Sequence, residues 1–206
     1  MLFIITIVLQ EEDSYGEEMT QRTTFTKEMI VEAAFQLTRE RGWHEVTART
    51  IAARLGSSTM PLYSSLRSME EVEKEVRARA EALMHDFQRR PYPPGDALLS
   101  SAVGYVAFAR DQRNLFRFLY VDRPVPAGGA ENKSIETDVE RVGGVFDLAD
   151  QAAVAMKDTR VLKSWAFTHG LASLISSGVL DLPDETIARL LLEVGSAIYA
   201  SGGGKA

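Results

Sequence analysis

The 206-residue chain contains no cysteine, which removes disulfides, thiolate metal sites and cysteine nucleophiles together. Histidine is nearly as scarce. His44, His85 and His169 are the three present, well separated and without the spacing of a metal site. There is no Gly-rich phosphate loop, no Gly-x-Ser-x-Gly elbow and no periodic repeat. The chain therefore reads as a non-enzyme that holds no cofactor and no metal. The apolar run MLFIITIVL at residues 1–9 is too short to cross a bilayer as a helix, and it lacks the basic start and cleavage site of a signal peptide. No membrane role is expected, and the absence of cysteine fits a cytoplasmic protein. Residues 1–19 read as an extra segment, with the natural start expected at Met19 and a short polar arm bearing Arg22.

What is present fits one helical protein with a small head and a larger body. A hydrophobic content of 45% is ordinary for a globular chain long enough to bury a sizeable core. The net charge of −6 is unevenly spread. From Thr20 to Arg67 seven basic side chains face four acidic ones, a net +3, which leaves −9 for the remainder. A locally basic head on an acidic body is compatible with phosphate contacts at one end.

The stretch at residues 47–66, TARTIAARLGSSTMPLYSSL, organises the head. Ile51, Ala52 and Leu55 recur at helical spacing, Thr47 stands where an N-cap belongs, and Gly56 where a helix ends. Ser57 or Ser58 is expected to cap a second helix with Leu62 and Leu66 inward and Thr59, Met60, Tyr63 and Ser64 outward. Two apolar-faced helices joined by a short glycine turn define a helix-turn-helix, with an ordinary helical hairpin as the alternative. Upstream, residues 26–41 carry Ile30, Ala33, Ala34 and Leu37 on one helical face, with Trp43 and Val46 closing the small core and His44 on the surface.

Downstream, Ser68 caps a long helix at about residues 69–89. Its acid–base pairs four residues apart, Glu70–Lys74, Glu73–Arg77 and Glu75–Arg79, mark a solvated face. RRPYPPGD at residues 89–96 breaks it. Further helices are expected at about residues 96–111, 114–121, 134–157, 159–178 and 183–200, with a loop by composition at 122–132. Gly143-Gly144 weakens the third of these by about 1 kcal/mol per glycine relative to alanine.

Residues 25–72 carry an alanine pair followed by an aromatic (Ala33, Ala34, Phe35), a Gly-aromatic step (Gly42, Trp43) and a Thr cap (Thr47). Ile51-Ala52, Leu55-Gly56, Leu62-Tyr63 and Glu70 follow. In this the chain resembles the DNA-binding domain of the TetR family of bacterial one-component transcriptional regulators. The resemblance implies an all-α fold with a three-helix helix-turn-helix head at residues 20–68 and a helical ligand-binding and dimerisation body at 69–206. The implied function is a ligand-responsive DNA-binding regulator, a repressor released from its operator by a small molecule. The alternative is a helix-turn-helix-derived ligand- or protein-binding module with weak or no DNA binding, since Met69 and Ser65 replace residues common in the family.

The resemblance assigns Thr59, Met60 and Pro61 to base edges, and Tyr63 and Ser58 to phosphates, with Thr47, Arg49, Ser64 and Arg67 completing the contacts to double-stranded operator DNA. In the body, Met84, Phe87, Tyr105, Phe108, Phe116, Phe118 and Phe146 are candidates to line an apolar effector cavity, or else plain core. The run WAFTHGLASLISSG at residues 165–178 resembles the family's C-terminal pattern, where the last two helices of each protomer build a four-helix homodimer interface. Trp165, His169, Leu171, Leu174, Leu191 and Val194 are the residues expected there, an internal core hairpin being the alternative. His169 is read as a packed, hydrogen-bonded histidine.

Overall fold

The computed structural model describes residues 25–63, 68–92, 96–122 and 159–200, and among these the regular structure is entirely helical. Phe146, the Gly143-Gly144 pair, the helix expected at 134–157, residues 1–24 and Ser64 to Arg67 lie outside the described residues. The head comprises α1 (Lys27–Arg41), a 3-10 turn (Trp43–Glu45), α2 (Ala48–Arg54) and α3 (Met60–Tyr63). The body comprises α4 (Met69–Gln88), α5 (Ala97–Asp111), α6 (Arg113–Tyr120), α7 (Thr159–Ser176) and α8 (Asp184–Ala200).

The helix starts follow from local chemistry. Thr26, Thr47, Ser68 and Asp96 each accept a hydrogen bond from a first-turn N–H of α1, α2, α4 and α5 respectively, satisfying donors that have no partner within the helix. At Thr47 the cap is reciprocal. Its Oγ1 accepts from the Thr50 N–H at 3.1 Å, and Thr50 Oγ1 accepts from the Thr47 N–H at 2.9 Å.

Packing then assigns faces. α5 is the central helix, buried from Val103 to Ala109 and packed against α4, α6, α7 and α8. Its approach to α4 depends on Gly104, where an added Cβ would lie 2.4 Å from the Phe87 carbonyl oxygen. A single hydrophobic core runs from Phe25 and Ile51 in the head to Ile187 in α8.

The charged face of α4 differs from the expectation. Only Glu73–Arg77 forms as an i,i+4 pair, at 3.1 Å. Glu71 and Glu75 instead hold Lys27 of α1 at 2.8 Å each, and Arg79 pairs with Glu28 and Glu32 of α1. Both carboxylates hydrogen-bonded to Lys27 push its pKa up. The face is therefore in large part a seam between two helices, because the partners of Glu71, Glu75 and Arg79 come from 44 or more residues away.

The head is joined to the body at two further points. Arg39 Nε donates to Gln112 Oε1 at 2.8 Å while its carbonyl accepts from Asn114 Nδ2 at 3.0 Å. Trp43 packs its ring 5.1 Å from that of Phe118. Trp43 thus bridges to the body rather than closing the head core alone, and Phe118, under the Arg77 guanidinium at 4.4 Å, belongs to this junction and not to an effector site.

Candidate DNA-reading head and effector-sensing body

The turn between α2 and α3 is built by Gly56 at φ +67°. Its N–H donates to the Ala53 carbonyl at 3.2 Å and that of Ser57 to the Ala52 carbonyl at 2.9 Å. This pattern closes a helix on a left-handed residue that glycine adopts without strain. With the Ser57 N–H so engaged, α3 begins at Met60 rather than directly after Ser57 or Ser58. Thr59 precedes its first turn, and the Thr59 carbonyl accepts from the Leu62 N–H at 3.2 Å.

Leu62 is fully buried, whereas Met60 is 80% exposed. This contrast turns one face of α3 into the head core and leaves the other open. Ser58, Thr47 and Arg49 are exposed and Thr59 is half-buried. The side chains of Pro61 and Tyr63, with Ser64 and Arg67, fall outside what the structure describes.

Thr47, Arg49 and Thr59 come together around an open cleft of about 520 Å³, walled by Trp43 on one side and by Met69, Glu70 and Glu73 of α4 on the other. Arg54, by contrast, is held by Glu40 of α1 through two bonds of 2.6 and 2.7 Å, and that hydrogen bonding holds the Glu40 carboxyl below its usual range. Arg54 braces the head, and no ion pair engages Arg49 among the described residues.

In the body, three of the expected effector residues converge and two form a separate pair. Met84, Tyr105 and Phe116 meet Tyr120, Trp165 and His169, which the sequence did not assign to this site. The Tyr105 ring lies 5.6 Å from Phe116, 5.8 Å from Tyr120 and 6.2 Å from His169. Trp165 stacks on His169 at 5.1 Å with the planes 13° apart. Tyr120 donates its hydroxyl to Met84 Sδ at 3.0 Å. Phe87 and Phe108 pair edge to face at 5.6 Å, with Arg90 over Phe87 at 3.6 Å.

The polar atoms of this cluster are unusual for a core. The Tyr105 hydroxyl and His169 Nδ1 are 2.8 Å apart. With the phenol as donor the buried O–H is satisfied, and the imidazole proton then resides on Nε2. Burial pushes the Tyr105 pKa well above its usual range and the His169 pKa below its own, because desolvation disfavours the charged form of either group. Among the described residues of the body, Trp165 Nε1, Ser164 Oγ, His85 Nδ1 and both amide atoms of Gln88 are buried without a hydrogen-bond partner. Each buried polar group left unpaired costs about 1–3 kcal/mol. A core selected for packing alone would not retain them. The periodicity of α4 could have indicated Gln88, since it lies four residues after Met84 on the same face.

The expected dimer residues divide between two faces. Leu171 and Leu191 pack into the protomer's own core, while Trp165, His169 and Val194 are half-buried. Leu174 is 45% exposed and continues a stripe through Leu162, Ala166 and Gly170 on the open side of α7. Leu192 and Tyr199 are exposed on α8.

None of the helices among the described residues is long and apolar enough to cross a membrane, and no acidic or histidine cluster there suits a metal ion. Residues 30–76 match the family model for bacterial regulatory proteins of the tetR family, and residues 98–194 match that for the tetracyclin repressor-like C-terminal domain. The chain is also 27% identical over 169 residues to an uncharacterized HTH-type transcriptional regulator of Mycobacterium tuberculosis, a match covering 76% of this chain and 72% of that protein. Two family models of successive domains, together spanning well over half of the sequence, agree with the capped α2–Gly56–α3 turn and the helical body: the chain belongs to the TetR family of bacterial transcriptional regulators.

Proposed function

We propose that the protein is a homodimeric repressor that leaves its operator when a small molecule enters the body. DNA binding and transcriptional regulation come with the family; release by an effector is the step proposed. The observation that carries it is the cluster of Tyr105, Tyr120, Trp165 and His169, where the Trp165 indole N–H is buried without a partner. A ligand supplying that partner favours the body conformation that accommodates it, and an equilibrium shifts by as much as the ligand discriminates between the two states.

In the head, Thr59, Met60 and Pro61 reach base edges, while Thr47, Arg49, Ser58, Tyr63, Ser64 and Arg67 reach phosphates and fix the register. The α1–α4 ion lattice and the Arg39–Gln112 contact carry movement of the body to the head. The second protomer docks on the open stripe of α7, Leu162, Ala166, Gly170 and Leu174, and on Leu192 and Tyr199 of α8. A built Cβ at Gly170 or at Gly195 meets nothing within 4 Å, which leaves room there for close approach of a partner helix.

One observation favours the alternative of a module with weak DNA binding. Glu70 and Glu73 share the cleft with Arg49, and Met69 supplies no positive charge there. The two readings separate in a gel shift of the purified protein against the DNA flanking its own gene at several salt concentrations. Selective binding that weakens with salt supports the repressor; binding no tighter than to random DNA supports the module.

A further inference from the structure

The chemistry of the effector follows from the walls of the body cluster. We propose that the molecule is an uncharged, flat aromatic compound carrying a hydrogen-bond acceptor such as a carbonyl, bound among Met84, Gln88, Tyr105, Tyr120, Trp165 and His169. This inference rests on the effector-released reading above.

Three observations lead to it. First, the named residues bring no formally charged side chain, and of their three titratable groups Tyr105 and His169 are hydrogen-bonded to each other at 2.8 Å while Tyr120 donates to Met84 Sδ at 3.0 Å. A carboxylate or an ammonium entering here would lose its hydration and meet no counter-ion among these described residues. Second, the unused polar atoms favour an acceptor. Trp165 Nε1–H is unpartnered and can only donate, and with the Tyr105 phenol as donor to Nδ1 the His169 proton stands on Nε2, a second donor on the adjacent stacked ring. Third, Gln88 is only 8% exposed, yet both ends of its amide are without partners. It offers a donor and an acceptor at once, which a ligand amide or hydroxy-ketone matches.

The shape of the ligand follows from the rings. Trp165 and His169 are already parallel, 13° apart, while Tyr105 meets Phe116 and Tyr120 edge-on at 5.6 and 5.8 Å and Phe116 and Tyr120 are tilted at 5.3 Å. A flat ring replaces one such contact with another of the same kind. Since the rings touch in this state, entry separates α7 from α5 and α6. The binding step is then also the conformational step that the release of DNA requires.

The test uses four probes that share one ring system: 2-naphthamide, 2-naphthoate, 2-naphthylmethylammonium and 2-methylnaphthalene. Calorimetric titration of the full-length dimer should show the amide binding at least tenfold more tightly than each of the other three. Trp165→Phe, which keeps a ring and removes the donor, should weaken the amide about tenfold and leave methylnaphthalene unchanged. Gln88→Leu should do the same while leaving the fold at least as stable. Equal or tighter binding of the carboxylate, the ammonium or the hydrocarbon overturns the proposal, as does the absence of amide binding up to its solubility.

A parallel gel shift distinguishes this failure from failure of the reading beneath it. If the naphthoate binds and releases DNA, the protein is effector-responsive and the chemistry assigned here is wrong. If the amide binds selectively and DNA affinity does not change, the chemistry stands and release by effector does not.

Discussion

Replacing Gly104 with alanine tests how α4 and α5 are held together. Helix propensity alone predicts a gain, because alanine is favoured over glycine in a helix interior by about 0.8–1 kcal/mol. The tertiary structure predicts the opposite. The new Cβ would sit 2.4 Å from the Phe87 carbonyl oxygen and 2.7 Å from Gln88 Cα, whereas ordinary contact begins at 3.4 Å. The two helices must therefore part by about 1 Å, since the obstacle is backbone and no side chain can rotate away. A gap of ~0.5–1 Å forfeits a quarter to a half of the dispersion energy of each contact across the seam. Overpacking of this kind costs about 1–3 kcal/mol, and an encounter with backbone belongs in the upper part of that range. Set against the propensity gain, the net loss is about 1–2 kcal/mol. For a chain of this size each kcal/mol lowers Tm by about 2–4 °C, so a fall of about 2–8 °C is expected. Circular dichroism melts at one fixed protein concentration, repeated in urea, measure it. A variant as stable as the parent, or more stable, would refute the close crossing.

Thr47→Ala removes the hydroxyl that accepts from the Thr50 N–H, while the backbone N–H of residue 47 still donates to Thr50 Oγ1; it should destabilise the head by about 0.5–2 kcal/mol, read as faster hydrogen exchange in residues 48–54 than in α5. Arg49→Ala should weaken binding to specific and random DNA together and reduce the salt slope by about 0.9 if Arg49 meets one phosphate; an unchanged slope in a salt titration contradicts that role. The pKa of His169 is lowered in the folded state from its ordinary 6.5, so the unfolded chain binds the proton more readily. The contribution of His169 is present above about pH 6.5 and is lost as pH falls toward the folded value. Urea unfolding between pH 7.5 and 5.5 should therefore show a decline in the parent that is smaller in His169→Asn.

Much of the architecture was legible in the sequence, for a physical reason. Helix ends are set by residues within four positions of one another, so Thr26, Thr47, Ser68, Asp96 and Gly56 could be identified from their neighbours, and with them the α2–α3 turn of the head. The proposed effector cluster was in part suggested by the sequence. Met84, Tyr105 and Phe116 stood out as large apolar side chains at helical spacing, but nothing local tells an aromatic that lines a site from one that fills a core. Tyr120, Gln88 and the inward turn of Trp165 and His169 emerge only when α4, α6 and α7 pack around α5.

The sequence by itself thus determined the described helices, the limits of most of them and the helix-turn-helix, though not the start of α3, all governed by short-range hydrogen bonding and periodicity. Tertiary structure alone decided where each face points. Glu75 faces Lys27 across 48 residues of chain, and the Tyr105 hydroxyl meets His169 across 64. Leu171 and Leu191 are drawn into the protomer core while Leu174 is left outside. A helical repeat fixes which residues share a face; only the packing of distant helices determines what that face meets.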